Sequence, residues 1–292
     1  MSPVVLAAAL GALGLVVFGL DRLAGRLVRP TIQPVERTVD TLGVPFREVT
    51  IESGEVGLRG WLVEPDGASP EEPLLILAHG WGANHGTVLR LGAPLAKKGH
   101  PLLLFDVRGH GLNPPVDEVT IRSFRDDLMA CVDVARDLFP RRPLVLIGHS
   151  MGGAAGVLAA AEGAPLDALI LIAAPSDVLT VTAEYLVDHD MPGHLLVNGL
   201  RPFFWRRVGG TFRRLTPSRR IDELELPLLL IQPEHDARVI RPHADRLAAA
   251  AGAPYHLIEG REHTDVLEAP ETLELVTAFV RRLEQSGQGG EG

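Results

Sequence analysis

Short, unbroken runs of Val, Ile and Leu alternate with longer amphipathic or small-residue stretches from Leu74 to Leu283, and this rhythm constrains the fold more than any other feature. A strand covered on one side alternates apolar and polar residues. A run that is apolar at every position is buried on both faces, as happens when helices cover both sides of a parallel sheet. Strands are expected at residues 74–78, 101–105, 143–147, 168–173, 227–231 and 255–258. Helices are expected between them at 87–98, 121–139, 153–161, 243–251 and 269–283. Two further runs, 46–52 and 58–64, meet at the turn Ser53-Gly54 and open the sheet in antiparallel fashion. The expectation is an α/β protein with a mostly parallel eight-stranded sheet and helices on both faces.

Two segments interrupt the rhythm. Pro3 to Leu20 is an unbroken run of 18 apolar or glycine residues, and Asp21 is the first charge. That length just spans a hydrocarbon core, which takes roughly 17–25 residues. Arg22, Arg26 and Arg29 follow at once, so the positive-inside rule places the downstream chain in the cytoplasm. A cleaved secretory signal, leaving a secreted domain, is the alternative; it normally carries its basic residues before the apolar run. A third reading packs the helix on the domain. Residues 1–30 are thus expected to be a membrane anchor with a basic flank. The second interruption, 176–220, fits no strand–helix unit of ordinary length. It holds Arg201, Arg206, Arg207, Arg213, Arg214, Arg219 and Arg220 interleaved with Phe203, Phe204, Trp205 and Phe212, with no acid from Pro192 to Arg220. It reads as a small helical cap inserted in a core made of 31–175 and 221–285, with 286–292 as a disordered tail.

A net charge of −9 argues against general nucleic-acid binding. The single cysteine, Cys131, excludes a disulfide framework and reads as a small buried hydrophobe. No Cys/His spacing matches a metal site, so no metal and no cofactor are expected.

The chemistry concentrates at Gly148-His149-Ser150-Met151-Gly152, between an apolar run and a small-residue helix. Strand, Gly-x-Ser-x-Gly, helix is the context of a nucleophilic serine on a sharp turn, with the Met151 N–H aimed at a developing oxyanion. A serine needs a base, and the base needs an acid to fix its tautomer. Downstream, Asp236 follows one strand and His263 the next, placing both on the rim that carries Ser150. Glu234 competes with Asp236 for the acid role, but Asp236-x-x-Val239 leads into the following helix. Upstream, His79-Gly80-Trp81-Gly82 follows a strand and offers the Trp81 N–H as second oxyanion donor, with Gly80 allowing close approach and His79 bracing the loop. His149, Gly148 and Gly152 read as supports of the turn. Asp106 and Arg108 read as ties between rim loops.

Together, His79-Gly80-Trp81-Gly82, Asp106-x-Arg108-Gly109-His110-Gly111, Gly148-His149-Ser150-Met151-Gly152-Gly153, Asp236-x-x-Val239 and His263 resemble the α/β-hydrolase superfamily over about residues 45–285. The likeness is closest to the esterase, lipase and monoacylglycerol-lipase-like branch. Leu112-Asn113 departs from the small residue and serine that often follow such a Gly111. The resemblance implies a serine hydrolase cleaving a small-molecule carboxylic ester, lipophilic or acyl in character, through an acyl-enzyme, with the cap roofing the acyl pocket against the membrane. Thioesterase, amidase or peptidase, and acyltransferase activities share the same residues, and a non-catalytic binding protein is the reading from another class.

Overall fold

A computed structural model of the chain describes residues 2–67, 69 and 71–288. Its helices are α1 (Pro3–Leu27), α2 (His85–Lys97), α3 (Ile121–Leu138), α4 (Met151–Ala161), α5 (Val178–Asp188), α6 (Gly193–Val208), α7 (Pro242–Ala251) and α8 (Pro270–Gln288). Its strands are β1 (Phe46–Ser53), β2 (Val56–Val63), β3 (Leu74–Ala78), β4 (Leu102–Phe105), β5 (Leu144–His149), β6 (Ala168–Ile172), β7 (Leu228–Pro233) and β8 (Tyr255–Ile258). Of the tail expected at 286–292, residues 286–288 instead continue α8, and the remainder lies outside the described residues.

The eight strands form one sheet in the order β1-β2-β4-β3-β5-β6-β7-β8. The β1–β2 hairpin pairs antiparallel and joins β4 antiparallel; every other pairing is parallel. The chain steps outward from β3 to β4 and then crosses back to β5, so the strand order reverses around β3, where open α/β sheets place their ligands. Side chains on one sheet face pack with Val88, Leu91 and Leu95 of α2 and Val276 and Val280 of α8. The other face packs with Phe124 and Leu128 of α3, Ala154 and Leu158 of α4, and Leu247 of α7. The central strands β3, β4, β5 and β6 are buried at every position, which is why their sequence shows no alternation. Cys131 is buried in the α3 seam, where desolvation pushes its thiol far above the ordinary range.

Between β6 and β7, α5 and α6 form a helical pair, followed by short 3-10 turns. The apolar N-terminal helix divides into two parts. Its first part stands clear of the domain and is exposed, whereas Leu20, Leu23, Ala24 and Leu27 pack with Ala183 and Leu186 of α5 and Val197, Leu200 and Phe204 of α6. Arg207 closes that seam. Its guanidinium donates to Asp21 Oδ1 at 2.8 Å, the Asp21 carbonyl at 2.9 Å and Glu118 Oε1 at 3.0 Å, and Arg206 donates to Asp21 Oδ1 at 2.6 Å. Two of the cap's arginines, Arg206 and Arg207, are therefore engaged with the N-terminal helix. The second part of α1 is thus a helix packed on the domain, and the first is an exposed apolar stretch.

Candidate active site

Ser150 joins β5 to α4 with φ 55° and ψ −121°, a region that side-chain-bearing residues rarely occupy and that costs of order 1–3 kcal/mol. The fold holds it there by the Ser150 N–H bonding to the Ile172 carbonyl at 2.9 Å, while the Ser150 carbonyl accepts from the Gly153 and Ala154 N–H groups at 3.0 and 3.1 Å. The neighbouring glycines are required by contact. A Cβ on Gly152 would run into the carbonyls of Ala78 and His79, and one on Gly148 would lie 2.5 Å from the Gly153 Cα. Met151 is the first residue of α4, so its N–H belongs to the helix end that lacks intrahelical partners.

Asp236 lies in the loop after β7 and His263 in the loop after β8, at the same sheet edge as Ser150. Asp236 Oδ1 accepts from the Arg238 and Val239 N–H groups at 2.9 and 2.8 Å, and its Oδ2 lies 2.8 Å from His263 Nδ1. Both side chains are buried, so the carboxylate is fixed on one edge and spends its other oxygen on the imidazole. The competing Glu234 is exposed and accepts from the Gly260 N–H at 2.9 Å. Asp265 accepts from the Glu262 N–H at 2.6 Å and serves its own loop.

His149 reaches sideways from the elbow. Its Nε2–H donates to the His263 carbonyl at 2.8 Å, and the two rings stand 4.8 Å apart. Burial, helped by the neighbouring His263, pushes its basicity down to about 3, so it is a neutral donor that fixes the His263 backbone. Its supporting role was legible, but its partner was not.

The loop after β3 presses on the elbow from the other side. A Cβ on Gly80 would sit 2.8 Å from the Ser150 Cβ, which explains the glycine next to Trp81. His79 Nε2 accepts from the Val107 N–H at 3.0 Å, which leaves its Nδ1–H to donate to the Gly80 carbonyl at 2.8 Å. Burial, and then the nearby His110, pushes its basicity down to about 4, so the neutral tautomer persists near neutral pH and holds the loop. The Trp81 ring stacks on Phe124. Asp106 and Arg108 tie rim loops together: Asp106 accepts from the His85 and Leu112 N–H groups at 2.7 and 2.9 Å, and Arg108 Nε donates to Asp127 at 2.9 Å. Asn113, at the departure from the family pattern, donates to the Asp106 carbonyl at 2.6 Å.

Ser150, His149, His263, Gly80 and Trp81 line one cavity enclosing about 140 Å³. Its opposite wall comes from Gln33, Pro34 and Glu36, with Asn84, Arg90 and Arg238 beside them. Among the described residues that line it, none belongs to α5 or α6. The cap has other partners: α5 and α6 bury their apolar residues against α1, and the stretch after α1 supplies Gln33, Pro34 and Glu36 to the cavity.

The family model described as serine aminopeptidase, S33, matches residues 69–188. A monoglyceride lipase of Mus musculus is 28% identical over 66% of this chain and 71% of its own length. An uncharacterized protein of Mycobacterium tuberculosis is 26% identical over 98% of this chain and 97% of its own. Among solved structures, the Pyrococcus furiosus esterase Pf2001 superposes with a TM-score of 0.69 at 22% identity, over 87% of this chain and 97% of the esterase.

Proposed function

Because the chain is an α/β-hydrolase similar to esterases and lipases, we propose that it is a serine hydrolase of carboxylic esters working through an acyl-enzyme. One observation carries the reading: a buried Asp236–His263 hydrogen bond of 2.8 Å on the same rim, and at the same cavity, as a serine held in a strained elbow. Asp236 holds the Nδ1–H of His263, leaving Nε2 free to take the Ser150 proton as Oγ attacks the ester carbonyl. The carbonyl oxygen gains charge and is stabilised by the N–H groups of Trp81 and Met151. His263 then gives its proton to the leaving alkoxide, and the alcohol departs. Water repeats the sequence on the acyl-enzyme, releasing the carboxylic acid and restoring Ser150.

A peptide or amide substrate is the second reading, favoured by the aminopeptidase description of the matching family model. A thioester, or transfer of the acyl group to an alcohol in place of water, would use the same groups. Turnover of matched ester, thioester and amide substrates separates these readings. We place the substrate among acyl compounds, lipophilic ones included, on the likeness to monoglyceride lipase and the apolar α1 beside the domain.

Ser150→Ala is expected to lower hydrolysis of a short p-nitrophenyl ester by about 10⁴-fold or more and to abolish covalent labelling by a fluorophosphonate. Retained labelling would remove Ser150 from the nucleophile role.

A further inference from the structure

The segment from Pro30 to Thr38 supplies Gln33, Pro34 and Glu36 to the lining of the candidate site. It enters from α1, where the Val119 N–H bonds to the Val28 carbonyl at 2.8 Å, and it leaves into Val39 and Leu42, buried against the α2 side of the core. Between these points the core holds its backbone. The Asn84 side-chain amide donates to the carbonyls of Gln33 and Pro34 at 3.2 and 3.3 Å. Gly86 lies so close beneath that a Cβ there would be 2.5 Å from the Arg37 carbonyl. Arg37 donates to Glu268 Oε1 at 2.7 Å, and Arg90 bridges the same carboxylate at 3.1 Å to Glu36 at 3.6 Å.

The consequence is a small, polar space. Gln33, Pro34 and Glu36 face Ser150 and His263 across about 140 Å³, below the roughly 300 Å³ at which ordinary ligand pockets begin. Most side chains that line it are polar, with Glu36, Arg90 and Arg238 charged, whereas a long acyl chain needs apolar walls. Asn84 does two separable jobs: its Oδ1 caps α2 by accepting from the Gly86 N–H at 3.0 Å, and its NH2 group holds the strap alongside the Arg37–Glu268 and Glu36–Arg90 ion pairs.

We propose that the 30–38 strap is the substrate-selecting wall of this site: seated on Asn84 it admits small, polar esters, and a long acyl chain reaches Ser150 only when the strap is displaced. This inference rests on the serine-hydrolase reading above.

The test compares p-nitrophenyl acetate through decanoate with the full chain in detergent. Asn84→Asp is the first variant and Asn84→Ser the second; each retains an oxygen to cap α2 and lacks the amide that holds the strap. The ratio of kcat/KM for decanoate to that for acetate is expected to rise by about fivefold or more in both, the factor a single net hydrogen bond supplies. A small and a bulky fluorophosphonate should show the same change in relative labelling rates. An unchanged ratio, or a parallel loss on all chain lengths in variants that melt near the parent temperature, overturns the selecting wall while Ser150-dependent turnover persists. Failure of the parent chain to show Ser150-dependent turnover of any ester overturns the serine-hydrolase reading, and the wall with it.

Discussion

Ser150 occupies its strained conformation because its neighbours leave no alternative. The Ile172 carbonyl takes its N–H, α4 begins at the next residue, and the two flanking glycines have no room for a side chain. The histidines around it are arranged with opposite demands. His263 is paired with a carboxylate, whereas His79 and His149 are buried as neutral donors to backbone carbonyls. Their basicity lies at about 4 and about 3, pushed down chiefly by burial. In the unfolded chain a histidine binds its proton near pH 6.5, so acidification below that value favours unfolding. The stability linked to each ring is complete above about 6.5 and falls as pH drops toward about 4 for His79 and about 3 for His149, with limits of about 3 and about 5 kcal/mol. Urea unfolding from about pH 7 to about pH 4.5 should show the midpoint falling, and His79→Asn should have the shallower slope. An identical slope would show that His79 does not carry the linkage.

The elements differ in how much of their placement the sequence reveals. The central strands were legible because burial on both faces leaves continuous Val/Ile/Leu runs, and β3 and β8 begin and end at the expected residues. The rim positions of Ser150, Asp236 and His263 were legible because each follows the end of a recognisable strand, so the loops that carry them fall at one sheet edge. The strap was not, because it is held through the carbonyls of Gln33 and Pro34, and any residue offers a carbonyl. The seam between α1 and α6 was hidden for another reason: Asp21 and Arg207 stand 186 positions apart, and local charge patterns do not announce such a pair. Arg207→Ala leaves Asp21 and Glu118 without their shared partner. Backbone amides in the second part of α1 and the end of α6 should then exchange with deuterium about tenfold faster, while those around Ser150 keep their rates. Unchanged exchange at the seam would show that apolar packing alone holds it.

At the scale of the molecule, the sheet carries the candidate site on one edge and α1 rises beside it with its first part exposed. That helix is long and apolar enough to cross a membrane. Our reading places the N-terminal run in the bilayer with the catalytic domain on the cytoplasmic side, as Arg22, Arg26 and Arg29 direct. A C-terminal epitope tag is expected to be digested by protease in inside-out vesicles and protected in intact cells. The reverse pattern would place the domain outside, and a tag recovered in the soluble fraction would remove the anchor.

The clamp of Arg206 and Arg207 on Asp21 begins at the first charge after the apolar run, which leaves no slack between helix and domain. A protein on a flexible leash samples a hemisphere above its membrane and meets substrates from the bulk solution. A protein welded to its post keeps one height and one bearing, so its mouth sweeps a plane. On the anchored reading, a lipid-borne ester, the kind that enters once the strap is displaced, is supplied per unit area of bilayer, and lateral diffusion in the lipid sets how often it visits the serine.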